Sequence, residues 1–583
     1  MLKKIFLIVI LLNATGLIFS RDDGSLKYFI IFRDKGEFKA ESEIVKGDAA
    51  YEAGIALLNQ KAIDRRLKVL SEDNLIDFKD LPLEESYVEG IENAGIEIIV
   101  KSRWMNGVSA YLTKTQMDKL KELDYVSQIK GVNKLNKQIN ESKIDYILNS
   151  TDTTGNKYDY GNSYNQMETV NIPKVHNLGI TGKGVLIASF DDGFDWKNHE
   201  SLRNLKVIGE YDFINRDENT FYEKNQKYKD ERKQGSHGTS TLSTMSGFKE
   251  GKLVSPAFDS EILIAKTEYI TSETPMEEDF WLEAAEWAEL KGVDIVTSSL
   301  IYKKFDKPYE NNSYEYDDFN GRTAITSIAA ARLAYLGVVV CQAMGNYDQT
   351  TIPSLGSAAD ADSIISVGAI TNSGKPASFT SNGPTSDGRT KPDVVAPGVY
   401  VYNAETEEIS GNDSTYSYAN GTSFSTPITA GICALILSVH PELTPLQVRD
   451  AVRNTASLSG NPNNILGWGI VNAYDAILYD GPAWSNTPEF VVKSKGTEVS
   501  TYLASKDLLD PESVKFYYSL DGGINYESII MTLKELNGDK NNSGKYSVFI
   551  ENAPDFKNVK YYFSAVDYSG SKSVYPKEVS SKD

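Results

Sequence analysis

The chain has 583 residues, with 81 acidic against 60 basic side chains and a formal net charge of −21. Negative charge of this size disfavours nucleic acid and anionic membrane surfaces as partners. With 40% hydrophobic residues the sequence can bury several packed cores, which argues against a disordered chain.

Residues 1–20, "MLKKIFLIVILLNATGLIFS", place two lysines before an apolar run that ends in small and polar residues. That is the layout of a secretory signal peptide, too short and wrongly flanked for a stable anchor. The expected product is secreted, periplasmic or held at the cell surface. No second stretch is expected to span a membrane, so the mature form has no transmembrane segment.

Residues 21–135 alternate "KYFIIF", an amphipathic helix over 55–70, "GIEIIV", "GVSAYLT", the helix "KTQMDKLKEL" and "VSQIKGV". This β-α-β-β-α-β order predicts a ferredoxin-like α+β domain. Residues 136–165 are polar and rich in Asn, Asp, Ser and Thr, a linker with a processing site. Over 166–480, seven short apolar runs from "GVLIASF" to "KPDVVAPG" alternate with helical stretches. Such runs predict a parallel sheet covered on both faces, with ligands at its carboxyl edge. Residues 481–583 return to alternating strands with aromatic residues and Gly turns, predicting an all-β sandwich of fibronectin or immunoglobulin type.

The two cysteines after the signal, Cys341 and Cys433, lie in apolar runs and read as buried thiols or as one disulfide. Their number supports neither a zinc site nor a disulfide scaffold. Of four histidines, His237 in "GSHGTSTLSTMSG" stands among small residues at a helix start, where an imidazole can face a cleft. Asp191 ends the strand run "VLIASFDDG", and Asn346 follows "GVVVCQAM" at the same edge. Ser423, in "NGTSFSTP", precedes a long apolar helix and reads either as a cap or as a nucleophile at a helix N-terminus. The G-x-S-x-G elbow fails because Ser425 occupies the place of the second glycine.

The order Asp191, His237, Asn346, Ser423 resembles the subtilisin-like serine peptidases, the subtilases. "DDG", "HGTSTLSTMSG", "AMGN", "FTSNGPTSDGRTKPDVVAPG" and "NGTSFSTPITAG" are similar to that family's ordered motif blocks. The resemblance implies a three-layer α/β subtilisin-like fold and a secreted serine endopeptidase acting through an acyl-enzyme. In it Asp191, His237 and Ser423 form the triad, and Asn346 serves the oxyanion. It further implies polypeptide substrates, a self-processing zymogen and a propeptide that inhibits its own enzyme. No cofactor is required and no metal residue is assigned; structural calcium is known in such families, but no Asp-rich loop here, "YEYDD" included, has a ligand spacing that assigns it.

Ser299, Leu300 and Ile301 occupy the family's substrate edge, and Ile301 replaces a glycine, which is expected to narrow or block the specificity pocket. Asp192 replaces Thr or Ser and is read as an outward turn residue; pointing inward, it would raise the imidazole pKa. Pro427 is read as a first-turn proline whose missing N–H the helix would not use. Glu277, Glu278 and Asp279 are read as helix N-terminal acids; a second reading puts Glu273 near the substrate cleft, favouring basic peptides. The competing functional class is a catalytically silent subtilase scaffold that binds a surface ligand or partner.

Overall fold

The computed structural model describes residues 25–131 and 155–576, without 231–232, 272, 307–313, 407–413, 539–540, 552–555 and 557–558. The signal-like segment and residues 136–154 of the linker lie outside these. The N-terminal domain runs β1 (Leu26–Phe32), α1 (Ala49–Ile55), α2 (Gln60–Arg66), α3 (Glu85–Asn93), β2 (Ile98–Ser102), β3 (Gly107–Leu112), α4 (Lys114–Leu120) and β4 (Val126–Gly131). Its antiparallel sheet has the order β2-β3-β1-β4, as a ferredoxin-like chain path requires.

The single helix expected over 55–70 does not form. Asn59 interrupts it, its side-chain oxygen accepting from the Ala62 N–H at 2.8 Å to start α2. The helix that covers the sheet is α3, whose Val88 and Ile91 pack against Ile30, Val108 and Leu120. Helices α1 and α2 build a separate cluster with Tyr51, Ala62 and Leu81, and carry Arg65 and Arg66 to the neighbouring domain.

All seven apolar runs of the central domain become strands; six are buried on both faces of one sheet, and the edge strand Lys206–Asp212 is only partly buried. In chain order they are β5 (Leu186–Asp191), β6 (Lys206–Asp212), β7 (Glu261–Lys266), β8 (Ile295–Ser298), β9 (Val339–Ala343), β10 (Ile365–Ile370) and β11 (Val394–Pro397). The parallel sheet has the order β11-β10-β9-β8-β5-β7-β6, so the chain switches direction of growth at β5. Helices α5 (Ser236–Ser246) and α8 (Thr422–Val439) cover one face, with Leu242, Met245, Ile428 and Leu435 in its core. Helices α6 (Pro275–Leu290) and α7 (Ile325–Tyr335) cover the other through Phe280, Trp281, Ala330 and Leu333.

Helix α8 is long and apolar enough to cross a membrane by length and composition, so a second stretch does reach spanning length. Every one of its residues is buried in the domain, which makes it a core helix. Cys433 on α8 faces Cys341 on β9 with sulfurs 3.8 Å apart, both free buried thiols. After residue 482, two antiparallel sheets enclose Trp484, Phe516, Tyr546 and Phe563.

The seam between the first two domains combines apolar and ionic contacts. Phe29, Val100 and Trp104 join the same apolar cluster as Phe280 and Trp281 of α6. Lys27 meets Asp279 at 2.6 Å, Arg103 meets Glu286 at 3.2 Å, and Arg65 and Arg66 both pair with Glu289. The Arg65 guanidinium also donates to the carbonyls of Val293, at 2.9 Å, and Leu336, at 3.1 Å. Of the three acids read as helix-terminal charges, Glu277 closes a capping box with Thr274, accepting from the Thr274 N–H at 2.6 Å. Asp279 instead serves the seam, and Glu278 accepts from the Tyr314 hydroxyl at 3.0 Å. Burial raises Glu278 to about 8.

Candidate active site

Strand β5 ends at the sheet's switch point, and its last residue, Asp191, is 1% exposed. The His237 Nδ1 lies 2.6 Å from Asp191 Oδ1, while Asp191 Oδ2 accepts from the Thr241 hydroxyl at 2.9 Å. Thr241 stands one turn beyond His237 on α5, so a single helix face supplies both contacts. Gly238 makes this approach feasible: a Cβ there would lie 2.2 Å from the Gly193 carbonyl oxygen and 2.9 Å from the Asp191 Cβ.

Ser423 enters from another element, the N-terminal turn of α8. Its hydroxyl donates to the Ser299 carbonyl at 3.4 Å, and the Ser299 hydroxyl donates to the Ser423 carbonyl at 2.8 Å. Pro427 explains the second bond. It lies inside α8, where its missing N–H would have served the Ser423 carbonyl four residues earlier, so the first-turn reading of Pro427 is corrected. That carbonyl is thereby left for Ser299.

Asn346 follows β9 at the same edge. Its side-chain oxygen accepts from the Thr422 N–H at 2.9 Å and from the Thr422 hydroxyl at 3.0 Å. With the oxygen so held, the amide nitrogen points towards Gly421, where an added Cβ would lie 3.4 Å from it. A larger residue at 421 would crowd that donor. Asp191, His237, Ser299, Ile301, Asn346 and Ser423 line one cleft of about 160 Å³.

A profile of the subtilase family of S8 peptidases matches residues 182–469, and one for the Bacteroidota peptidase S8 propeptide domain matches residues 27–145. Serine protease AprX of Bacillus subtilis (strain 168) is 30% identical over 323 residues, covering 51% of this chain and 67% of its own. Subtilisin E of the same strain is 30% identical over 308 residues, covering 53% and 69%. Subtilisin of Bacillus pumilus is 29% identical over 308 residues, covering 53% and 96%. The chain belongs to the subtilase family. It is a serine endopeptidase with a propeptide domain.

This subtilase departs from its sequence reading at Asp192. The residue points inward, 2% exposed, and its carboxylate accepts from the Gly238 N–H at 2.7 Å and the His237 N–H at 3.4 Å. It closes the N-terminus of α5 by accepting from these two backbone N–H groups. Burial first, and then the neighbouring Asp191 charge, push Asp192 up to about 8.

Ile301 lines the cleft with Ser299 and Leu300. Its Cγ2 lies 2.4 Å from where a Cβ on Gly356 would stand, so it fills the space beside that glycine. The backbone fixes it there, with Tyr302 and Ser357 exchanging N–H···O bonds of 3.0 and 3.1 Å.

The remaining histidines of the subtilase serve structure. His176 is buried between the Tyr160 hydroxyl and the Pro256 carbonyl, and burial lowers it to about 4. His199 contacts Ser201 and the Thr415 carbonyl, and His440 the Ile477 carbonyl.

Sequence reasoning missed Thr241, Thr422 and Gln234. Thr241 and Thr422 were legible as hydroxyls four residues after His237 and one before Ser423. Gln234 had no such signal; its amide ties the carbonyl of Asp192 to that of Glu268, the latter at 2.7 Å. Glu268 lines the cleft and Glu273 does not. In the "YEYDD" turn Asp318 accepts from the Glu315 N–H at 2.8 Å, closing a capping box.

Proposed function

We propose that this subtilase is a secreted, self-processing endopeptidase in which Ser423 is the nucleophile, His237 its base and Asp191 the partner that orients the imidazole. The 2.6 Å contact between His237 and Asp191, made inside the cleft that Ser423 also lines, carries this reading. With Asp191 accepting at Nδ1, the imidazole keeps Nε2 ready to take the serine proton as the hydroxyl attacks the scissile carbonyl. Collapse of the tetrahedral intermediate returns that proton to the leaving amine and leaves an acyl-enzyme, which water then clears.

The negative oxygen of the intermediate is received by the Asn346 amide and the Ser423 N–H at the N-terminus of α8. Loss of one such donor costs about 3 kcal/mol of barrier. Every group in these steps is a side chain or backbone amide of this chain. Ser299, Leu300 and Ile301 form the edge along which substrate lies, and Ile301 restricts the side chain admitted beside the scissile bond. The propeptide domain, seated on α6, holds the protease inactive until the linker is cut. Export rests on the signal-like residues 1–20.

The test is the linker itself. Purified full-length chain is expected to cut itself between the propeptide and catalytic domains, and Ser423→Ala protein to stay whole. A fluorophosphonate should label the wild type at Ser423. Self-cleavage by the Ser423→Ala chain, or labelling at another serine, refutes the assignment.

A further inference from the structure

We infer that Glu268 makes this protease selective for a lysine or arginine side chain close to the scissile bond; the inference rests on the peptidase reading above. Glu268 lies two residues beyond β7, whose last residue pairs with Asp191 across the sheet. Gln234 clips this segment to the rim that holds His237. Its amide nitrogen donates to the carbonyls of Asp192 and Glu268, and its oxygen accepts from the Ile270 N–H at 3.2 Å.

The Glu268 carboxylate reaches the opposite wall, where the Tyr302 hydroxyl donates to Oε2 at 3.3 Å. Tyr302 directly follows the Ser299–Ile301 edge. Glu268 therefore stands between the two walls of the cleft, and it lines the cleft together with His237, Ile301 and Asn346.

Charge and burial give this position its effect. Glu268 is 5% exposed, and carboxylate oxygens of Glu268, Glu273 and Glu277 all lie within 4.8 Å of one another. Asp191, Asp192 and Glu268 line the cleft, and no lysine or arginine does so among the described residues. An extended peptide on the 299–301 edge turns alternate side chains to the two walls. A cationic one directed at Glu268 forms a charge-assisted hydrogen bond away from bulk water. An acidic one is repelled, and a neutral one covers the carboxylate without supplying a counter-charge. The linker offers such side chains at Lys137 and Lys143.

Mature enzyme is given matched peptides that differ only in lysine or norleucine at each position flanking the cleaved bond. At one position the lysine peptide should have at least about a 10-fold higher kcat/KM. That ratio should fall towards one in Glu268→Gln and survive in part in Glu268→Asp. In wild-type enzyme, raising NaCl from about 0.02 to about 0.5 M should raise KM for the lysine peptide selectively. This measurement decides the matter if Glu268→Gln does not fold. Wild type that labels with fluorophosphonate yet shows no lysine preference overturns the inference alone, as does a ratio unchanged in Glu268→Gln or a KM shift shared by both peptides. Wild type that does not label overturns the peptidase reading and this inference together.

Discussion

The Asp192 carboxylate accepts a hydrogen bond from the backbone N–H of Gly238 at 2.7 Å, so the residue beside Asp191 caps the helix that carries His237. Two adjacent carboxylates thus divide their roles by direction. Asp191 faces the ring and Asp192 faces the helix terminus.

That division sets a pH signature. Asp192 rises from an ordinary 3.8 to about 8 in the folded chain. Between those values the folded state keeps a proton that the unfolded state has lost, so stability from this group falls as pH rises across the window. Asp192→Asn, made in a Ser423→Ala background to prevent self-digestion, removes that titration. Its thermal midpoint should match the parent near pH 4 and exceed it by a few degrees near pH 8. An equal offset at both pH values would contradict the assignment.

Asp191→Asn tests the orientation of the imidazole. The amide keeps the shape but offers the wrong partner for Nδ1, and kcat should fall by about 10⁴ with KM little changed. Thr241→Ala removes only one supporting bond to Asp191, and its loss should be about 10-fold or less. Single-turnover kinetics on one peptide checks both.

Ile301→Gly should open the space beside Gly356. Substrates with a bulky residue on the acyl side of the cut are expected to gain at least about 10-fold in kcat/KM relative to alanine counterparts, the scale of a few methylenes in an apolar pocket. Library profiling reads the change, and an unaltered size preference would show that Ile301 does not bound the pocket.

Arg65→Ala leaves the Val293 and Leu336 carbonyls without this donor and Glu289 with less positive charge. Breaking a buried pair of this type costs about 3–5 kcal/mol. In the Ser423→Ala full chain, the propeptide domain should become the first part to lose protection in hydrogen exchange. Protection unchanged there would mean that the seam is held by its apolar contacts alone.

The central domain was legible because most of its strands are buried apolar runs, a pattern that a sheet covered on both faces accommodates, with the partly buried edge strand β6 the exception. Its candidate site was legible because Asp191 ends a strand, Asn346 follows one and Ser423 stands in the first turn of a helix. Helix α3 escaped notice since "ESYVEGIEN" buries only Val88 and Ile91, too sparse a stripe to announce a helix. The break at Asn59 is a capping event inside an apolar period that runs straight through it. Asp192 was misread for a different reason. A carboxylate at a turn is soluble by default, and only the arrival of α5 from a distant part of the chain turns it inward. Pro427 likewise acquires its meaning from Ser299, more than a hundred residues upstream.

If the propeptide domain is released as proposed, α6 keeps Asp279, Glu286 and Glu289 and loses the cations they hold here. Water would then replace Lys27, Arg103, Arg65 and Arg66, and a strip that was electrically quiet would become bare anionic surface, while Trp281 stays packed on Phe190 of the sheet. Recapture of the released domain is then governed by ionic strength: swift in dilute medium, slow in brine. Activation would leave a durable mark on the molecule, with the surroundings deciding how soon it can be undone.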